Sequence, residues 1–285
     1  MAFHWYPGHM NKAKNQVQDR LKLVDVVIEI VDARLPLSSR NPMLDSITNN
    51  KKRVIILNKS DLADPKASTV WRDYFEEHGI SAYIVDSKHA NNMNNLINSI
   101  KKEVAQKVEK YQNAGVKNYK IKAMCIGIPN VGKSTILNRF AGKNIAVTGN
   151  KPGVTKNQNW IKTKYDVDII DTPGILWPKI EDEKVGLKLA LTGAIKDSVF
   201  HADDVALFAI DYFKKYYPEK LIKAYKVTEE DLELENPELL LLMTKKMGMR
   251  DDFDRMSEKI MMDVRKGTLG AYTLDQIDEA ENAID

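Results

Sequence analysis

The chain has 285 residues, 43% hydrophobic and 29% charged, enough for one large globular domain or two of ordinary size. No stretch nears the roughly 18 uninterrupted apolar residues of a membrane span, and the N-terminus lacks the charged-then-apolar plan of a secretion signal. A single cysteine, Cys125, excludes an internal disulfide framework, so a cytoplasmic protein is expected.

Residues 11–23 read as a polar, lysine-rich helix after the Pro7-Gly8 turn. Residues 26–31 and 53–57 are short apolar runs rich in β-branched side chains, which predicts two buried strands. The first ends at Asp32-Ala33-Arg34 and the second at Asn58-Lys59-Ser60-Asp61. A helical pattern over 67–78 stops at Gly79, and 82–85 predicts a third strand, ending at Asp86-Ser87-Lys88. One helix is expected from about 93 to 111. A fourth strand, 122–126, runs straight into Gly127-Ile128-Pro129-Asn130-Val131-Gly132-Lys133-Ser134, with a helix over 133–140. Residues 160–164 and 168–170 are further strand candidates, the latter leading into Asp171-Thr172-Pro173-Gly174.

Strands alternating with helices predict an α/β fold with a doubly wound, mostly parallel sheet, and ligands at the carboxyl ends of its strands. Every motif above stands at such an end. After about Trp177 the strand signals stop, and 185–196, 203–217, 237–247 and 251–266 carry helical spacing. Val205, Phe208, Tyr212 and Tyr216 are the expected core stripe of a bundle. The tail beyond Lys266 has no basic residue and is expected to be disordered. The expected organisation is therefore an α/β domain over 1–177, with an N-terminal helical extension, and an all-α domain over 178–285.

The pattern Gly127-x-x-x-x-Gly132-Lys133-Ser134 is a phosphate loop. Its backbone N–H groups turn inward around phosphate, and the helix that follows adds its positive dipole end. Asn130, Val131, Gly132, Lys133, Ser134 and Thr135 are the expected phosphate-binding residues. Lys133 supplies a compact positive charge, and the Ser134 hydroxyl suits Mg²⁺. Asn58, Lys59 and Asp61 supply base identity. The Asp61 carboxylate accepts from the adjacent N1–H and amine of guanine, whereas adenine presents an acceptor there. Asn58 braces the loop, the Lys59 stem lies across the ring, and Ser87 and Lys88 complete the pocket through backbone contacts. Asp171 is expected to hold Mg²⁺ through water, Gly174 to sense the γ-phosphate, and Thr155 to close on metal and phosphate as a switch residue. GTP or GDP is the expected ligand.

These five elements resemble those of the translation-factor class of GTPases in circularly permuted order, with base recognition ahead of the phosphate loop. With Trp5-Tyr6-Pro7-Gly8-His9-Met10 in front and Asp32-Ala33-Arg34 after the first strand, the chain resembles the bacterial ribosome biogenesis GTPase A family over essentially its whole length. The resemblance implies late maturation of the large ribosomal subunit, with rRNA and ribosomal protein as partners and 178–285 as an RNA- or ribosome-binding part. A monomer with no membrane role is expected.

Where many GTPases carry a water-orienting glutamine, this chain has Ile175, which implies slow turnover alone and stimulation by the subunit. His9 is the catalytic candidate that the resemblance suggests, against a role in capping the first helix or touching RNA. Asn130 stands where K⁺-activated GTPases carry an asparagine that coordinates the ion, so a K⁺ site is expected there, against a role only in stabilising the loop.

Charge suggests a polyanion partner, against the reading that some of the lysines only solvate helix faces and coat a nucleotide pocket. Net charge is only +3, yet residues 101–165 hold 14 Lys/Arg against 2 Glu, and residues 166–285 hold 16 against 27 Asp/Glu. Arg34 and Arg40 are left open between nucleotide and RNA phosphates. The alternative function is a self-sufficient GTPase acting in RNA modification or membrane-associated signalling.

Overall fold

The strands are β1 (Phe3–His4), β2 (Val26–Asp32), β3 (Lys52–Asn58), β4 (Ser81–Val85), β5 (Ile121–Ile126), β6 (Trp160–Lys162), β7 (Val167–Asp171) and β8 (Lys179–Ile180). They belong to a computed structural model that describes residues 3–4, 15, 17–48, 51–89, 93–144, 160–177 and 179–281. Six of them form one sheet in the order β4-β3-β2-β5-β7-β6, parallel throughout except for the antiparallel pair β6–β7. β2 is buried at every position, as a strand covered on both faces must be. Register places Asp32 beside Asn58, and Cys125 beside Asp171, so the motif-bearing ends of four strands lie along one edge.

Helix Pro65–Glu77 starts where Asp64 accepts from the N–H groups of Lys66 and Ala67 with proline in the first turn, and it buries Trp71 and Phe75. The single helix expected over 93–111 is two, Met93–Glu103 and Ala105–Asn113. Val104 breaks it, buried at φ −112°, ψ 10°, and the second helix buries no residue of its own. Residues 42–48 form a helix that the apolar pattern did not announce, Pro42–Thr48.

The described residues divide into two compact units. The sheet unit includes the segment from Asp275, which corrects the expectation of a disordered tail. The Asp275 carboxylate accepts from the backbone N–H of Leu37 (2.8 Å) and Ser38 (2.7 Å) and from the Ser38 hydroxyl (2.6 Å). Trp71 Nε1 donates to the Asp275 carbonyl, and Ala280 packs into the cluster around Trp71 and Phe75. A buried, fully accepting carboxylate and small apolar side chains dock this segment without any basic residue.

The helical unit comprises Lys179–Leu274 with β1, which pairs antiparallel with β8. Its central helix, Ala202–Tyr216, buries Val205, Ala206, Ala209, Ile210, Tyr212 and Phe213. The core face is thus turned from the expected stripe: Phe208 is half-buried and Tyr216 is 39% exposed. No helix among the described residues is long and apolar enough to cross a membrane.

Candidate nucleotide site

The phosphate loop leaves the end of β5 and enters helix Lys133–Ala141 at Gly132, whose φ is 93°. A Cβ there would lie 2.2 Å from Asn58 Nδ2, and one at Gly127 would lie 2.5 Å from the Ile30 carbonyl oxygen. Only glycine admits both approaches. Lys133 is 8% exposed, with Nζ 3.4 Å from the Gly127 carbonyl oxygen. Burial lowers its pKa, and the nearby Asp171 opposes that shift. A buried ammonium of this kind favours an anion beside it. Ser134, Thr135 and Asn130 are half-buried around the same loop, while Val131 is buried.

The segments expected to recognise the base and to hold phosphate are directly joined. Asn58, fully buried, donates from Nδ2 to the Val131 carbonyl oxygen at 2.7 Å, while its Oδ1 has no hydrogen-bond partner among the described residues. Lys59 sits at φ 60° and donates to Asp32 Oδ2 at 2.8 Å. Asp61 lies 3.5 Å from Lys88 Nζ. Arg139, on the helix after the phosphate loop, donates through Nε to the Ser87 carbonyl at 3.1 Å and through a terminal nitrogen to that of Lys88. Sequence reading missed this arginine. A basic residue in a last helical turn reads locally as a match to the helix dipole, and nothing local points 51 residues back.

The segment after β7 packs on the same loop. A Cβ on Gly174 would lie 2.9 Å from Pro129 N, Ile175 N donates to the Gly127 carbonyl at 3.3 Å, and the Thr172 hydroxyl donates to that of Cys125 at 2.7 Å. Ile175 itself is 2% exposed, and its carbonyl accepts from Asn41 Nδ2 at 2.8 Å. Cys125 is fully buried and its thiol is pushed up by burial, consistent with an inert core residue. His9 and Thr155 lie outside the described residues.

Carboxylates of the same unit pair with both Arg34 and Arg40. Arg34 is 1% exposed and pairs with Asp32 at 2.7 Å; Arg40 pairs with Asp45 at 2.6 Å and Glu29 at 3.4 Å.

For a metal, Ser134 and Asp171 offer only oxygen. Among the described residues no three His, Cys, Asp or Glu side chains group so as to hold an ion alone. Such a donor set fits Mg²⁺, which keeps water and takes phosphate oxygens rather than a full protein cage.

A family model described as a 50S ribosome-binding GTPase matches residues 122–246. Ribosome biogenesis GTPase A of Priestia megaterium is 44% identical, with 100% of this chain and 100% of that protein covered. The protein of the same name from Bacillus cereus is 46% identical over 98% of this chain and 95% of its own length. Among solved structures, GNP-bound YlqF from T. maritima superposes with a TM-score of 0.63 at 24% identity, covering 93% of this chain and 98% of that one. This last likeness concerns the fold alone.

Proposed function

The chain belongs to the ribosome biogenesis GTPase A family and hydrolyses GTP, and from that membership we propose that it binds the immature large ribosomal subunit and promotes its late maturation as a nucleotide switch. The observation that carries the nucleotide side is the bond from Asn58 to the Val131 carbonyl, which welds the base-reading strand end to the phosphate loop. Asn58, Lys59 and Asp61 read guanine, with Ser87 and Lys88 closing the pocket. The phosphates are held by Asn130, Val131, Gly132, Lys133, Ser134, Thr135 and the Gly174 N–H. Mg²⁺, which GTPases of this kind require, supplies neutralisation of phosphate charge when bound; Ser134, Asp171 and Thr155 are the residues to hold it. The Asn130 side-chain carbonyl suits K⁺, whose charge would sit beside the same phosphates.

Ile175 supports the idea of a partner-triggered hydrolase. Its side chain is buried and carries no hydrogen-bonding group, so it orients no water. His9 is the group proposed to do so once the subunit is engaged. The polyanion side rests on exposed lysines: Lys117, Lys120, Lys122, Lys143, Lys162 and Lys164 hold no ion pair among the described residues. The protein is proposed to act as a cytoplasmic monomer.

GTP turnover with and without purified large subunits, in K⁺ and in Na⁺, tests the whole reading. Stimulation of at least about tenfold that needs the subunit is expected, with K⁺ rates above Na⁺ rates and His9→Ala losing the stimulation at unchanged GDP affinity. Turnover that is equally fast without subunits selects the self-sufficient GTPase instead.

A further inference from the structure

Beyond the residues proposed to touch nucleotide, the end of β2 holds a buried carboxylate that accepts from four donors. Asp32 is 3% exposed. Its Oδ1 accepts from Arg34 N at 3.1 Å and Arg34 Nε at 2.9 Å. Its Oδ2 accepts from an Arg34 terminal nitrogen at 2.7 Å and from Lys59 Nζ at 2.8 Å. The Asp32 N–H donates to the Ser39 hydroxyl at 2.9 Å, so the backbone beneath the carboxylate is tied as well. Asp32 and Asn58 are register partners, and Lys59 is the next residue on β3's exit.

A lysine stem is flexible, and a flat apolar wall for a base needs its far end fixed. The Lys59 side chain is 21% exposed, and burial lowers the pKa of its ammonium while Asp32 opposes that shift. Arg34, a second cation on the same carboxylate, would repel that ammonium if the carboxylate lost its charge. The planar Arg34 fork in turn fixes both Asp32 oxygens, leaving one lone-pair direction on Oδ2 for Lys59. We propose that Asp32 is a positioning residue for guanine binding: it anchors the Lys59 ammonium so that the methylene stem stands as a rigid wall against the base. This rests on reading Asn58–Asp61 as the base site.

The test compares GDP affinity by titration calorimetry for the full chain and four variants: Asp32→Asn, Lys59→Met, Lys59→Ala and the double variant Asp32→Asn/Lys59→Met. Thermal melting reports whether each folds. Lys59→Met keeps an apolar stem and loses only the anchored charge. Asp32→Asn and Lys59→Met are each expected to weaken GDP about tenfold, and the double variant to be no weaker than either, because both remove one interaction. Lys59→Ala, which removes the wall itself, should be weaker still. Wild-type affinity in Lys59→Met overturns the inference, as does an Asp32→Asn loss that persists undiminished on the Lys59→Met background. If Asp32→Asn fails to fold, Lys59→Met alone carries the test, since it leaves Asp32 and Arg34 in place. Undiminished affinity in Lys59→Ala would instead sink the base-site reading beneath it.

Discussion

On the proposed reading of the base site, Asp61 is the side chain that chooses the ligand. Guanine offers two donors side by side, and a carboxylate with two acceptors meets both; xanthine replaces the amine with a carbonyl. In Asp61→Asn an amide puts one donor and one acceptor at the same place, so the preference should invert. GDP affinity is expected to fall at least about a hundredfold, the scale of one desolvated and unmatched polar group, while xanthosine diphosphate binds more tightly than GDP. Competition binding with the two diphosphates checks this; a variant that still prefers GDP would show that recognition comes from the backbone of Ser87 and Lys88. The glycines are equally telling at this scale. Gly132 has φ 93° and backs onto Asn58, so the pattern of glycines in the sequence already encoded the approach of two distant segments. What it could not encode is the identity of the second segment, which only the packing of β2, β3 and β5 determines.

At the scale of elements, the parallel strands were legible because they are continuous apolar runs, and the motifs because each stands where a run ends. The breaks were less so. Val104 divides one amphipathic pattern into two helices by burying itself, and the segment from Asp275 is held by bonds to residues 237 or 238 positions away, which no local window contains. Arg265 is a further case. From helix Phe253–Lys266 it donates to the Ala190 carbonyl at 2.8 Å and the Leu191 carbonyl at 3.1 Å, so it caps helix Glu183–Leu191 from across the unit. It also forms a two-pronged pair with Asp197 at 2.6 and 3.1 Å, screened by water because the Asp197 side chain is 67% exposed. Arg265→Met keeps most of the stem and loses the carbonyl bonds. We expect the helical unit to lose about 2 kcal/mol and to melt a few degrees lower by circular dichroism, with GDP affinity unchanged. A melting curve superimposable on that of the unaltered chain would mean that water satisfies those carbonyls equally well.

For the whole molecule, the informative quantity is the arrangement of charge rather than its sum. A net +3 would steer nothing strongly, but Lys122 and Lys162 flank Asp168 in register across three strands at one sheet edge, and Lys122 Nζ stands 5.8 Å from the ring of Trp160, which is 38% exposed. Two explanations compete for these lysines. An antiparallel edge strand such as β6 invites pairing with another chain, and lysine is a common guard against it. Alternatively the same cations meet ribosomal RNA, with the indole free to stack on a base. Salt separates the two, since each phosphate that is no longer neutralised lowers the slope of log affinity against log salt by about 0.7 to 0.9. Replacing both Lys122 and Lys162 by glutamine should therefore reduce the slope for large-subunit binding by about 1.5, and it should leave the state of association in light scattering unchanged. An unchanged slope together with new self-association would assign the pair to guarding the edge, and would move the RNA contact to the lysines at 117, 120, 143 and 164.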